Sequence, residues 1–419
     1  MLLLFIMVLF VFNNAFKTIN YNMHHKLDYK MKNKLNIRCL ATVITINDLE
    51  LAGKTIRSGG LVAFPTETVY GLGANALDSN SCNRIFEVKG RPKTDPLIVH
   101  VLDGDTAIKD LYDINSTTII GQNILLLLSK KFWPGPLTLI HKASPKIPSI
   151  VTANTGYVGV RSPQHIIARE LIKKSNVPIA APSANRFGHV SPTTSQHVMD
   201  DLGYNNELLI IKNDIDNNDN NNIGNNGNNC EHGIESTVCK VYEDGHIEIL
   251  RCGPITPRMI ETCLIENNIN INIDVKILQQ KQQNDNIGTQ SPGQLTKHYA
   301  PDLPANILSH NTNSLNSLNS NNINLNECLI IDFGGQIETS LNIKNRCLVY
   351  WDLSKNSNAA EACNKLFTTL RLAESEKIKS QGVKRILLPD LRNIDDNENG
   401  LLMALWERIH RAASGNILE

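Results

Sequence analysis

Three clusters in this chain hold side chains suited to chemistry on anions. Lys89-Gly90-Arg91 sets a point charge and a planar fork two residues apart across a glycine, a pairing suited to phosphate. At a helix end the same pair would also favour the helix dipole while solvated, so both readings stand. Pro182-Ser183-Ala184-Asn185, followed by Gly188 and Ser191-Pro192-Thr193, gathers small hydroxyl, amide and glycine groups on one turn. That composition suits backbone and hydroxyl donors wrapped around phosphate. Arg161 ends the apolar run Val158-Gly159-Val160, where a charge needs a partner, either a ligand carboxylate held bidentately or an internal salt bridge. Thr68 follows a proline-bounded turn and precedes Tyr70-Gly71-Leu72-Gly73, which reads as a cleft or as a structural turn with Glu67 in solvent. His100, near the end of another apolar run, reads as a ligand contact or as a satisfied structural histidine. No Gly-x-x-x-x-Gly-Lys-Ser/Thr, His-Glu-x-x-His or Gly-x-Ser-x-Gly occurs, so a bound triphosphate must be held another way.

These residues need strand ends and turns to bring them together. Leu61-Val62-Ala63-Phe64 predicts a buried strand opening into the Thr68 turn. Cys82, Ile85, Phe86 and Lys89 fall at helical spacing before Gly90 and Pro92 stop the helix. Residues 96–101, 158–161 and 177–181 predict strands, and 166–174 an amphipathic helix, giving an α/β domain that ends near residue 262. After a polar stretch, 279–290, and the segment Ser291 to Pro301, the pattern restarts. Strands are expected at 328–333, 347–353 and 383–388, and helices at 358–376 and 400–413, forming a second, smaller α/β domain.

Taken in order, Pro65 to Gly73, Lys89 to Pro92, Trp133-Pro134-Gly135-Pro136, Pro182 to Asn185, and Ser291-Pro292-Gly293 running into His298-Tyr299-Ala300-Pro301 resemble one family. The chain resembles threonylcarbamoyl-AMP synthases of the YrdC-like class, in the two-domain form. The resemblance implies a YrdC-like twisted-sheet catalytic domain over 45–262, a linker or lid over 263–305, and a Rossmann-like C-terminal α/β domain over 306–419. It implies that Thr68, His100, Arg161, Ser236 and the backbone near Ala181 contact L-threonine. Lys89, Arg91, Ser183, Asn185, Ser191, Arg251, Tyr299 and Tyr157 would face ATP, with Lys297 and His298 in the lid. Asp95 stands where relatives frequently place asparagine, and a carboxylate there repels phosphate unless it meets a metal or a hydroxyl. The implied reaction joins L-threonine, bicarbonate and ATP into threonylcarbamoyl-AMP, pyrophosphate and water. Mg2+ would accompany ATP without protein ligands. The product would pass to a separate transferase that modifies tRNA next to the anticodon. The competing reading is a module that binds tRNA or double-stranded RNA without catalysis, and such a module has no use for Thr68, His100, Arg161 and Ser236.

Composition sets limits around this. Lysine plus arginine equal aspartate plus glutamate at 41 each, so a polyanion site must be a local cluster rather than a basic domain. The nine cysteines are never spaced Cys-x-x-Cys, which argues against a zinc site or disulfide framework. Residues 2–12 form an apolar run of signal-core length. The acid-poor, basic stretch after it predicts a transit-like segment, so residues 1–44 read as an organellar leader. A plastid-type route, a mitochondrial presequence and a cytosolic protein with a disordered leader are the alternatives. Asparagine makes up ten of the seventeen residues 213–229 and eight of the sixteen residues 311–326. Both segments are expected to be solvated loop insertions.

Overall fold

The computed structural model describes residues 40–213, 230–276, 288–292, 298–309, 317–318, 320–392 and 400–418. The first Asn-rich insert beyond Asn213, the leader through residue 39, and Lys297 lie outside the described residues.

The first part of the described chain builds one mixed sheet. Its strands are β1 (Thr42–Ile44), β2 (Leu61–Phe64), β3 (Gly71–Asn75), β4 (Ile98–His100), β5 (Leu137–Lys142), β6 (Tyr157–Arg161), β7 (Ile179–Ala180), β8 (Leu208–Ile211), β9 (Thr237–Val241), β10 (Ile247–Arg251) and β11 (Ile273–Val275). They lie in the order β1-β8-β2-β3-β7-β4-β6-β5-β9-β10-β11. All four residues of β2 are buried, because a strand covered on both faces is apolar throughout rather than alternating. Its packing helices are α1 (Leu49–Arg57), α2 (Ser79–Lys89), α3 (Ile119–Phe132), α4 (Ile166–Ser175), α5 (Ser195–Leu202) and α6 (Pro257–Glu266). Helix α2 is fixed at both ends. Asp78 accepts from the Asn80 and Ser81 backbone N–H groups, and Gly90, at φ 65°, closes the C-terminus in a conformation that suits glycine.

The second part is a fully parallel sheet in the order β14-β13-β15-β12-β16, from β12 (Ala305–Leu308), β13 (Cys328–Asp332), β14 (Val349–Asp352), β15 (Arg385–Pro389) and β16 (Ile417–Leu418). Helices α7 (Gln336–Leu341), α8 (Ala359–Ala373) and α9 (Leu401–Ala412) accompany it. One apolar core runs through both parts, joining Ile255 and Ile260 to Phe367, Leu405 and Ile409.

Three expectations are corrected. Thr42–Ile44 pairs with β8, so the last three residues of the stretch read as leader belong to the sheet. The large sheet runs past residue 262, because Ile273–Val275 pairs in parallel with β10. Both strands are three residues long, too short for a periodic signal. Part of the second Asn-rich segment is packed rather than solvated: Leu318 is buried, and Ile323 and Leu325 lie against the same cluster, so three apolar residues among the asparagines suffice to anchor it. The eight described cysteines are all free and seven of them are buried, where they pack as small hydrophobes.

Candidate active site

Parallel strands β4 and β6 place His100 opposite Arg161, and both side chains enter one cavity. The turn after β2 brings Thr66 and Thr68 to it, and the turn after β7 brings Ala181 and Ser183. The β9 and β10 hairpin adds Glu235, Ser236 and Arg251, and Arg91 and His298 also line it. All five residues assigned to threonine by resemblance therefore meet in one place. Gly253 holds the hairpin side tight: a Cβ there would come 2.4 Å from the Thr237 nitrogen, so only glycine fits beside this strand end.

Of its two readings, Arg161 takes the internal salt bridge. Its Nη2 donates to Glu67 Oε1 at 2.6 Å, its Nη1 to Thr68 Oγ1 at 2.9 Å and its Nε to the Gly135 carbonyl at 3.3 Å. Glu67 is buried rather than solvated, correcting the structural-turn alternative. Burial alone would raise the Glu67 carboxyl, but the Arg161 charge beside it carries it below its ordinary value. The internal salt bridge thus exists and still leaves Arg161 on the cavity wall. Burial, with Arg161 next in effect, drives the His100 imidazole down to about 3, so it is neutral near pH 7. Its Nδ1 is buried without a hydrogen-bond partner. Ser236 Oγ lies 2.8 Å from Thr138 Oγ1 and accepts from Arg251 Nη2 at 3.1 Å.

On the nucleotide side the expectations divide. Arg91, Ser183 and Arg251 line the cavity. Lys89 does not join Arg91 there; it turns inward, donating to the Ser183 and Asn185 carbonyls at 2.6 and 2.5 Å. Burial, then the Arg91 charge, pushes its ammonium well below the ordinary value. Asp95 pairs with the Arg91 guanidinium at 2.9 Å, which offsets the charge of the carboxylate there. Asn185 holds its own loop through the Arg186 and His189 carbonyls, and Ser191 donates to Glu235 Oε1 at 2.5 Å. Tyr299 is fully buried against Phe367, at 5.3 Å between ring centroids, with its hydroxyl unpartnered. Tyr157 starts β6, at the opposite end from Arg161; its hydroxyl donates to Glu243 and it does not line this cavity.

Sequence reasoning missed Glu67, Thr66 and Glu235. The Pro-Thr-Glu-Thr run carried the first two in plain view, but the partner that buries Glu67 lies 94 residues away. Two groups of described residues have metal-holding spacing, His189/Asp302/Glu374 and His246/Glu248/Asp274, and neither lines the cavity. The cavity's lining carboxylate, Glu235, is engaged by Ser191 and by Arg408. These residues do not form a protein ligand set for Mg2+.

Comparison with known proteins agrees with this architecture. The Sua5/YciO/YrdC family model, described as telomere recombination, matches residues 54–225. A second model, described as threonylcarbamoyl-AMP synthase, C-terminal domain, matches residues 255–414. The chain is 31% identical to threonylcarbamoyl-AMP synthase of Bacillus subtilis over 90% of this chain and 96% of that one. It is 38% identical to the synthase of Pyrococcus abyssi over 60% of this chain, spanning 65% of the relative's length. The crystal structure of P. abyssi Sua5 complexed with L-threonine superposes with a TM-score of 0.70 at 30% identity, covering 90% of this chain and 98% of that one.

Proposed function

Because this chain belongs to the threonylcarbamoyl-AMP synthase family, as a two-domain nucleotidyltransferase, we propose that it converts L-threonine, bicarbonate and ATP into threonylcarbamoyl-AMP, pyrophosphate and water. The observation that carries the reading is the convergence of Thr68, His100, Arg161, Ala181 and Ser236 with Arg91, Ser183 and Arg251 in one cavity. A relative crystallised with L-threonine on the same fold supports the amino-acid half.

In this reading Arg161 takes the threonine carboxylate, which stays free through the reaction, while Glu67 and Thr68 hold the guanidinium in place. The neutral His100, with Nδ1 unspent, offers a hydrogen bond rather than a second charge. Threonine's amine captures the one-carbon unit, and a carbamate oxygen attacks the α-phosphorus as pyrophosphate leaves. No enzyme nucleophile is needed, so the protein contributes alignment and cationic stabilisation through Arg91 and Arg251. Mg2+ bound with ATP would supply charge neutralisation on the triphosphate. The linker near His298 serves to exclude water from a carbamate and a mixed anhydride, both easily hydrolysed. The product serves a separate transferase acting on tRNA, and residues before Ala41 serve as an organellar leader.

The test is adenylate formation by the purified chain with ATP, Mg2+, bicarbonate and threonine, omitting one component at a time. Pyrophosphate release that requires both threonine and bicarbonate is the expected result. ATP or RNA binding without turnover overturns the reading in favour of a binding module.

A further inference from the structure

Arg408 is the largest fully buried side chain among the described residues, and it belongs to α9 of the C-terminal domain. An arginine removed from water is costly unless its donors are well used. Its donors cross into the catalytic domain. Nη1 donates to the Cys252 carbonyl, Nε to Glu235 Oε2 at 3.3 Å and Nη2 to the Glu235 carbonyl at 3.4 Å. The preceding residue works on the same peptide: Glu407 Oε2 accepts from the Cys252 N–H at 3.2 Å and pairs with Arg408 Nη1 at 3.2 Å. Two consecutive residues of α9 therefore grip both polar groups of Cys252, the residue directly after Arg251. Through Glu235, the same arginine reaches the carboxylate that accepts from Ser191. Its guanidinium carbon also lies 5.8 Å from the Tyr299 ring centroid.

We propose that Arg408, with Glu407, is a positioning residue pair by which the C-terminal domain sets the nucleotide side of the cavity, fixing Arg251 through the Cys252 peptide and the lining carboxylate Glu235 directly. This rests on the functional reading above. Thr68 and Arg161 lie outside this grip and hold one another, and His100 packs edge-on against Phe64, so most of the threonine side is supported from a different direction. Ser236, directly after Glu235, is the one threonine-side residue next to the grip.

The experiment compares the full chain with Arg408→Met, Arg408→Lys and Glu407→Gln. It reads kcat, the KM for each substrate, thermal unfolding, and calorimetric binding of a non-hydrolysable ATP analogue. Arg408→Met is expected to raise the ATP KM and the analogue Kd at least tenfold while moving the threonine KM less than threefold. Arg408→Lys should recover part of the loss, and Glu407→Gln should weaken ATP alone by a few fold. Should Arg408→Met fail to fold, the other two variants decide. Folded Lys and Gln variants with unchanged ATP KM and analogue Kd overturn the proposal, as does an equal loss for both substrates that lysine does not rescue. A parent chain that forms no threonine-dependent adenylate fails the functional reading itself. An active parent with indifferent variants fails only this inference.

Discussion

At one edge of the large sheet, His100 and Arg161 end neighbouring parallel strands and face a cavity with an unpartnered imidazole nitrogen and a guanidinium on its wall. At the corresponding edge of the small sheet, Asp332 and Asp352 end neighbouring parallel strands, and the loop after Asp332 carries Gly334 and Gly335 at positive φ. Open α/β sheets bind ligands at such edges, and a glycine loop opening a helix is a ready anion site. Here the small sheet fills its own loop. Asp332 accepts from the backbone of Phe333, Ile337 and Glu338 and from the Tyr350 hydroxyl, while Asp352 takes the N–H groups of Gly334 and Gly335. A phosphate would find those donors spent and two carboxylates in its place. Fold alone assigns chemistry to neither sheet; what decides is whether the donors at the strand ends are left for a ligand.

The largest effect that tests this contrast is expected from Arg161→Ala. It should cost ten- to a hundredfold or more in kcat/KM for threonine, on the scale of a charged hydrogen bond worth roughly 1.5–3 kcal/mol. The ATP KM should stay within about threefold, in keeping with the separate support of the two substrates. Leaving Glu67 buried without its partner should also destabilise the chain by about 3–5 kcal/mol. Adding Glu67→Gln should recover much of that stability without restoring threonine use. A double variant with normal threonine kinetics would show the pair to be structural only.

Asp332→Ala probes the other side of the comparison. It strands two buried N–H groups, one part-buried N–H and one hydroxyl, for a loss of about 3 kcal/mol measured by denaturant unfolding. Because the small sheet contacts neither substrate in this reading, the surviving folded fraction should keep both KM values. A selective rise in the ATP KM would mean that the small sheet's loop communicates with the cavity.

Much of this contrast could be read from the sequence, and the unread part has a common cause. Apolar runs located strands at Leu61–Phe64, Tyr157–Arg161 and Cys328–Asp332, and Gly90 located the end of α2. The helix expected over 358–376 closes at Ala373, followed by a one-turn helix at Glu376–Lys379. What stayed hidden were pairings across long sequence separations. Glu67 with Arg161 spans 94 residues and Glu235 with Arg408 spans 173, and neither leaves a periodic trace. Lys89 was legible as a cation near phosphate chemistry, but its choice of two carbonyls over the cavity depends on where the Ser183 turn lies in space.

A smaller effect concerns how the two domains dock. His189 bridges Asp201 of α5 and Glu374 after α8, while Arg371 also pairs with Asp201; Arg186 and Asp302 face the same cluster, and His197 lies beside it. Burial alone would lower His189, but its bonds to the two carboxylates carry it above the ordinary 6.5. Burial alone would raise Asp201, yet His189 and Arg371 carry it well below its ordinary value. A raised histidine adds stability that is complete below its unfolded pKa and is lost as pH climbs through its folded one. A depressed aspartate adds stability present above its unfolded pKa and lost as pH falls through the folded one. Thermal stability should therefore decline on the alkaline side of about pH 6.5, and His189→Asn should flatten that slope while Arg371 keeps the domains docked. A slope unchanged in the variant would remove His189 from the docking energetics.

The smallest effect is expected where the large sheet carries its asparagine insert. The anchors on either side are built from ordinary contacts. Ile211 ends β8 in the core, Lys212 donates its N–H to the Ile44 carbonyl, and buried Cys230 leads to His232, whose N–H bonds the Glu67 carbonyl. Asn364 of α8 also holds the Glu231 carbonyl at 2.7 Å. With both ends fixed by the fold, replacing residues 214–229 by a glycine-serine linker of half the length should change stability by only about 0.6 kcal/mol, because closure entropy grows with the logarithm of loop length. Turnover and both KM values should stay within about threefold on the same scale, since that free energy is less than a factor of three in any equilibrium. A variant that folds but loses threonine use would show that the insert bears on the Glu67 and Arg161 pair through His232. The insert would then belong with the cavity rather than with the solvent.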